Sequence, residues 1–292
     1  APTKESVQEF DLENRKANFW VWQPIQNPEL PPIHNADWVN NDIDYFTLSQ
    51  LEQAHIKPSR DAEQTAILRR LYFDLIGLPP TPDQMAAFEQ AAAKDQKVAI
   101  VKVVDELLAS PHFGERWGRH WLDVVRFSES TGGGRTLLMK EAWRYRDYVV
   151  IAFNKDKPYN QFLREQIAGD EVDHVTDETL IATGFLRAGP RVQFREKDNP
   201  ERRHDYLDDV LATIGRGVLG MTVHCARCHD HKFDPILQKD YYSMQASIFG
   251  YVETDWPLLD LEDAKVYQTA NALIDEQQQP LKDQISTIEA VS

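Results

Sequence analysis

Both cysteines of the chain lie in one short run, Cys225-Ala226-Arg227-Cys228-His229. A Cys-x-x-Cys-His run is the attachment signature of a c-type haem. On one helical turn, two thiols three residues apart can each form a thioether with a haem vinyl group. The next residue, His229, then lies under the iron as an axial imidazole. With no third cysteine in the chain, no disulfide framework competes for these thiols. Three other chemistries use the same residue types. A reducible dithiol needs no following histidine and usually sits beside a βαβ pattern, which the sequence lacks. A zinc site would draw on His224, His229 and His231, but structural zinc usually takes its second ligand pair from a distant segment. Ligands crowded between His224 and His231 are also hard to arrange tetrahedrally. The third alternative is a pair of buried, inert cysteines.

A six-coordinate haem needs a second axial ligand, and the chain holds nine histidines and four methionines. His224, His231 and Met221 lie too close to the motif to wrap to the opposite face. His34 and His55 fall in the N-terminal arm or at a helix end, and His174 falls in a polar loop. His112, His120, His204, Met139 and Met244 are left. Of these, His120 is preferred, because it belongs to the run His120-Trp121-Leu122-Asp123 on an apolar-flanked helix that could cover a porphyrin, with Asp123 placed to orient its ring. A hydrogen-bonded core histidine is the competing reading. Arg116 and Arg119 share that helix and Arg227 lies inside the motif, so all three are candidates for the haem propionates. In a chain with 47 acidic residues, surface ion pairs are the alternative use. His231, Lys232 and Asp234 either contact the haem edge or shape the turn before Pro235. The loop Gly132-Gly133-Gly134 lacks the strand and following Lys-Ser/Thr of a phosphate loop and reads as a linker.

The elements that must position these residues are helical. Residues 1–40, rich in tryptophan and proline, read as an irregular arm packing on a core. Asn41 is a helix N-cap before Ile43, Phe46, Leu48 and Leu51. Further helices are expected through Ile67–Leu75, from Thr81, through Ile100–Leu108, over Phe113–Phe127, over 140–154, 159–168 and 177–187, and from about Asp205 through Val218. The run Arg195–Arg203 reads as a charged loop. Strand alternation is absent, so the fold class is mainly α: an irregular multi-helix domain over 41–255, between the arm and a polar segment over 256–292 that forms a helix, a linker or a coiled coil. The formal charge of −15 argues against nucleic acid or an anionic membrane surface as a partner. No apolar run reaches the length of roughly 18–20 residues that crosses a bilayer. The first residues hold neither an initiator methionine nor a signal-peptide core, as expected of a processed piece of a longer product.

Four ordered runs resemble the planctomycete-type cytochrome c domain, a family long catalogued as a domain of unknown function. They are Leu68 to Pro80, Phe113 to Asp123, Gln166 to Asp170, and Cys225 to Ile236 with Asp240-Tyr241-Tyr242. The resemblance runs from about Trp20 to Phe249. It implies one covalent haem c and membership of a larger exported multidomain protein, periplasmic or at the cell surface. The expected function is electron transfer to a redox partner protein or to other domains of the same polypeptide. A haem enzyme with an open distal face, using His120 or His112 as an acid-base group, is the alternative. A zinc-stabilised interaction domain stands third.

Overall fold

The computed structural model describes residues 11–132, 136–190, 200–253, 256–258 and 261–289. Helices follow in the order α1 (Leu12–Asn18), α2 (Asp42–Gln53), α3 (Gln64–Leu75), α4 (Pro82–Ala92), α5 (Gln96–Leu108), α6 (Pro111–Val124) and α7 (Ala142–Asn154). After these come α8 (Tyr159–Ala168), α9 (Asp177–Ala182), α10 (Gly184–Arg187), α11 (Pro200–Gly217), α12 (Gln238–Ile248) and α13 (Leu261–Glu289). Short 3-10 turns stand at Trp20–Trp22, Ala36–Trp38 and Val223–Arg227. Among the described residues the only β pairing outside named strands is an isolated bridge between Ser130 and Leu138, and the chain is mainly α as its periodicity predicts.

Local chemistry explains where the helices start. The Asn41 side chain accepts from the Ile43 and Asp44 amides while Asp44 reaches back to the Asn41 amide, a capping box that opens α2. Thr81 and Gln84 do the same for α4, with Pro82 in the first turn. Ser110 caps α6 ahead of Pro111. The expected helix over 177–187 is instead two pieces broken at Thr183. The Thr183 hydroxyl donates to the Leu180 carbonyl at 2.7 Å, competing with the helix ladder.

Three clusters of buried side chains result. The first joins α3, α4 and α5 through Leu68, Tyr72, Phe88, Ala92, Ala99 and Leu107. The second and largest gathers α6 to α11 around Trp121, Tyr145, Tyr148, Val149, Phe162, Phe185, Leu207 and Val210. Within it α6 lies close against α7 because Gly114 and Gly118 present no side chain. A Cβ on Gly114 would fall 2.3 Å from the Val150 carbonyl oxygen. Gln166, fully buried, accepts hydrogen bonds from Trp121 Nε1 at 2.7 Å and the Tyr145 hydroxyl at 2.6 Å. Burial pushes the Tyr145 phenol well up, so it stays a donor. Three of the four runs quoted above therefore serve packing. Leu68 and Tyr72 fill the first cluster, Gly114 and Gly118 seat α6, and Gln166 with Gly169 ties α8 to its neighbours.

The third cluster is small: Leu211 of α11, Val223 and Ala226 of the last 3-10 turn, Ile236, and Tyr241 of α12. α11 is the wall it shares with the second cluster, to which it gives Tyr206, Leu207, Val210 and Ile214. That helix begins at Pro200, earlier than the expected Asp205, so the residues from Pro200 to Arg203 belong to the helix and not to a charged loop. Proline suits a first helical turn because its missing N–H has no partner there anyway. The remainder of that loop, and Gly133 to Arg135 of the glycine loop, lie outside the described residues.

Among the described residues of the arm, contacts with the body gather at its C-terminal end, where Lys97 Nζ of α5 donates to Asn40 Oδ1 at 3.1 Å. Glu52 of α2 accepts from the His34 and Asn35 amides at 2.9 and 3.1 Å. Before that point α1 buries nothing, and Trp20 is 79% exposed. In the described residues the hydrogen-bonded contacts of the arm with the body lie at its C-terminal end, where Trp38 is half-buried.

Candidate functional site

The cysteine run is positioned by what precedes it. α11 ends where Val218 and Leu219 both donate back to the Ile214 carbonyl, at 2.9 and 3.2 Å. Gly220 takes a left-handed φ of 65°, and the Met221 amide donates to the Gly215 carbonyl at 2.8 Å. The chain thereby folds back along α11, and Val223 comes to rest on Gly215.

Residues Val223–Arg227 form a 3-10 turn with Cys228 at its C-cap, where the sequence suggested an ordinary helical turn. The difference has a consequence for the thiols. In a 3-10 helix, residues three apart eclipse one another. Val223 and Ala226 point inward, 2% and 0% exposed, and Cys225 and Cys228 share the outward face. Both thiols are exposed, so the reading of two buried, inert cysteines is set aside. Burying a side chain such as Val223 or Ile236 contributes about 1.5–3 kcal/mol. Ordering one residue's backbone costs about 1–2 kcal/mol. The inward contacts therefore offset part of the cost of ordering the five-residue turn, and the hydrogen bonds to Arg227 add to them.

The two histidines that follow differ in their hydrogen bonds. His229 is exposed, and its Nδ1 lies 2.7 Å from the Asp230 carbonyl oxygen. A carbonyl only accepts, so Nδ1 carries the proton and the neutral ring keeps its Nε2 lone pair for a metal. His231 is buried, and its Nδ1 accepts from the Phe233 and Asp234 amides at 3.2 and 2.8 Å. Its Nε2 is then the donor, to Thr222 Oγ1 at 2.8 Å. Both nitrogens of His231 are thus occupied in shaping the turn. His224 Nε2 stands 3.9 Å from Cys225 Sγ, and its Nδ1 is buried without a hydrogen-bond partner. Among the described residues no group of three or more His, Cys, Asp and Glu side chains is arranged to hold a metal ion.

Arg227, between the cysteines, is held at both ends. Its Nη2 donates to Asp205 Oδ1 at 2.8 Å and its Nη1 to Asp208 Oδ2 at 3.2 Å. Its carbonyl oxygen accepts from Gln238 Nε2 and the Tyr242 hydroxyl, each at 3.1 Å. Asp208 Oδ1 takes a further bond from the Tyr241 hydroxyl at 2.7 Å. The Asp205 bond, followed by the Asp208 charge, outweighs desolvation and raises the guanidinium further above its ordinary value. Burial and the neighbouring Asp208 push the Tyr241 phenol up, so it remains a donor.

The remaining candidates are scattered. His120 lies exposed on α6, its ring 5.5 Å from that of Trp117 in an edge-on contact. The expected orientation of His120 by Asp123 is corrected, because Asp123 pairs with Arg119 at 3.0 Å, one helical turn away on the same face. Arg116 is half-buried against Gly77. Arg119 and Arg227 both have carboxylate partners within the protein. α6 packs chiefly on α7, and the cysteine turn packs chiefly on α11 and α12, so the main contacts of these elements do not bring His120 to the turn. Of the other ligand candidates, His112 pairs with Glu115 at 2.9 Å and His204 faces Gln245 at 3.3 Å, while Met244 packs on the third cluster. Sequence reasoning missed Thr222, Asp205, Asp208, Gln238 and Tyr241 as supports of the turn. The spacing of Asp205 and Asp208, three apart and so on one face of an amphipathic helix, was the available signal for two of them.

A family model described as "Protein of unknown function (DUF1549)", with the short name PSCyt2, matches residues 42–253. No curated protein and no solved structure matches the chain.

Proposed function

We propose, on the premise that the chain belongs to the DUF1549 family over residues 42–253, that the 225–229 turn holds a single c-type haem and that the domain carries electrons. The observation that supports this most directly is the shared outward face of Cys225 and Cys228 beside a histidine whose Nε2 is free. Each thiol would add across a vinyl group, sulfur to one carbon and hydrogen to the other, with no net oxidation. A bound haem supplies one-electron chemistry at its iron. His229 would be the iron ligand, its basicity raised by the bond from Nδ1–H to the Asp230 carbonyl.

His120 remains the candidate for the opposite axial position. No helix among the described residues is long and apolar enough to cross a membrane. Attachment through thioethers implies maturation outside the cytoplasm, so the proposed setting is the periplasm or the cell surface. The proposed partner is a redox protein or another domain of the same polypeptide, and a basic surface would suit the acidic chain. The exposed setting of the turn also keeps a second reading open, an enzyme with a free iron face.

Optical spectra of the full chain, co-expressed with haem-attachment machinery, test the proposal in the oxidised, reduced and carbon monoxide-treated states. A Soret band that survives denaturation is expected, and is lost in the Cys225→Ala/Cys228→Ala variant. Absence of that band from the matured wild-type chain overturns the haem. Rapid carbon monoxide binding selects the enzyme over the closed carrier. Conversion from low to high spin in His120→Ala supports the axial assignment, and an unchanged spectrum removes it.

A further inference from the structure

The two cysteines enclose Arg227, and both its guanidinium and its carbonyl are tied to groups outside the turn. Its guanidinium spans Asp205 and Asp208, and its carbonyl takes two side-chain donors from the segment that enters and forms α12. The two carboxylates are unequal. The Asp205 side chain is 61% exposed, and such a pair is worth little in water. The Asp208 side chain is 22% exposed and is shared with Tyr241, which is fully buried. Tyr241 in turn takes a bond from Gln245 Nε2 at 3.3 Å. A continuous path therefore runs from the interior of α12 through Tyr241 and Asp208 to the residue between the thiols.

We propose that Asp208 and Tyr241 are positioning residues for haem attachment, holding Arg227 so that Cys225 and Cys228 keep one spacing and one direction. This inference rests on the haem reading above. The vinyl groups of a porphyrin are fixed relative to each other, so both thioethers form only if the two sulfurs match that separation. Misplacing a reacting group by about 1 Å can cost about 100-fold in rate. A turn released from Asp208 would still offer each thiol singly. It would lose the registration that lets the second addition follow the first.

The test uses the full chain co-expressed with attachment machinery, in wild-type form and as Asp208→Ala, Asp208→Asn and Tyr241→Phe. The number of thioethers is read from the position of the reduced pyridine haemochrome band, which moves to longer wavelength when one vinyl remains, and from the mass of the haem peptide. Asp208→Ala is expected to raise the proportion of singly attached haem several-fold. Asp208→Asn keeps one acceptor oxygen and the side-chain shape, with an amide NH2 in place of the other oxygen, and restores part of the double attachment. Tyr241→Phe, which removes one oxygen and keeps the ring in the core, falls between wild type and Asp208→Ala, and it decides the matter if Asp208→Ala does not fold. Double attachment at the wild-type proportion in Tyr241→Phe and in folded Asp208→Ala, with only the melting temperature lowered, overturns the inference alone. A wild-type chain that takes up no haem overturns the reading beneath it and the inference together.

Discussion

At the scale of single residues, His229 and His231 show how little a residue's type says about its use. Each ring nitrogen of His231 is matched to a partner, two backbone amides on one side and the Thr222 hydroxyl on the other. His229 spends one nitrogen on the adjacent carbonyl and keeps the other. The sequence marks His229 through its place after Cys228, but it cannot separate the two rings otherwise. What separates them is the return of the chain through Phe233 and Asp234, a feature of three-dimensional path. Replacing the buried His231 by Ala takes the partner from two amides and the Thr222 hydroxyl, and each such group that water does not reach costs about 1–3 kcal/mol. Urea unfolding of His231→Ala is expected to show a midpoint lowered by at least about 2 kcal/mol worth of stability with an unchanged slope. An unaltered midpoint would show that water takes over these bonds.

At the scale of elements, α11 is the piece on which the site depends. One face closes the large cluster, Leu211 closes the small one, and Asp205 and Asp208 reach Arg227. Its apolar period is legible in the sequence, as are the caps at Asn41 and Thr81, because such signals are local. Its early start is not, since charged residues between Pro200 and Arg203 read equally well as loop. The supports of the turn are illegible for a different reason: Asp208 and Tyr241 are 33 residues apart in the chain and meet only through folding. Gly215 joins helix and turn. An alanine there would gain about 1 kcal/mol of helix propensity. Its Cβ would lie 2.9 Å from the Met221 carbonyl oxygen and 3.0 Å from Val223 Cγ2, and crowding of this kind costs about 1–3 kcal/mol. Backbone on one side leaves little room to yield, so crowding wins. Gly215→Ala is expected to lower the melting temperature by about 2–4 °C, and a rise would show that the chain after α11 can move aside.

At the scale of the whole molecule, the third cluster underlies the cysteine turn, the first two hold the other helices together, and α13 stands largely apart. Tyr267, Ile274, Leu281 and Ile288 recur along α13 at heptad spacing and are exposed, and Ala264 near its start is buried. Of the forms expected for this segment, the described residues 261–289 take the helical one, with an exposed apolar stripe and Pro280 inside the helix. A chain ending at Gln268 is expected to melt within about 3 °C of the full chain, since the exposed stripe contributes little to the fold. A larger drop in calorimetry would show that the distal part of α13 supports the body. The inward side of the 225–229 turn is filled by Val223 and Ala226 against Leu211, Ile236 and Tyr241. Whatever joins the two thiols therefore has to approach from outside the domain, over the face that Cys225 and Cys228 share.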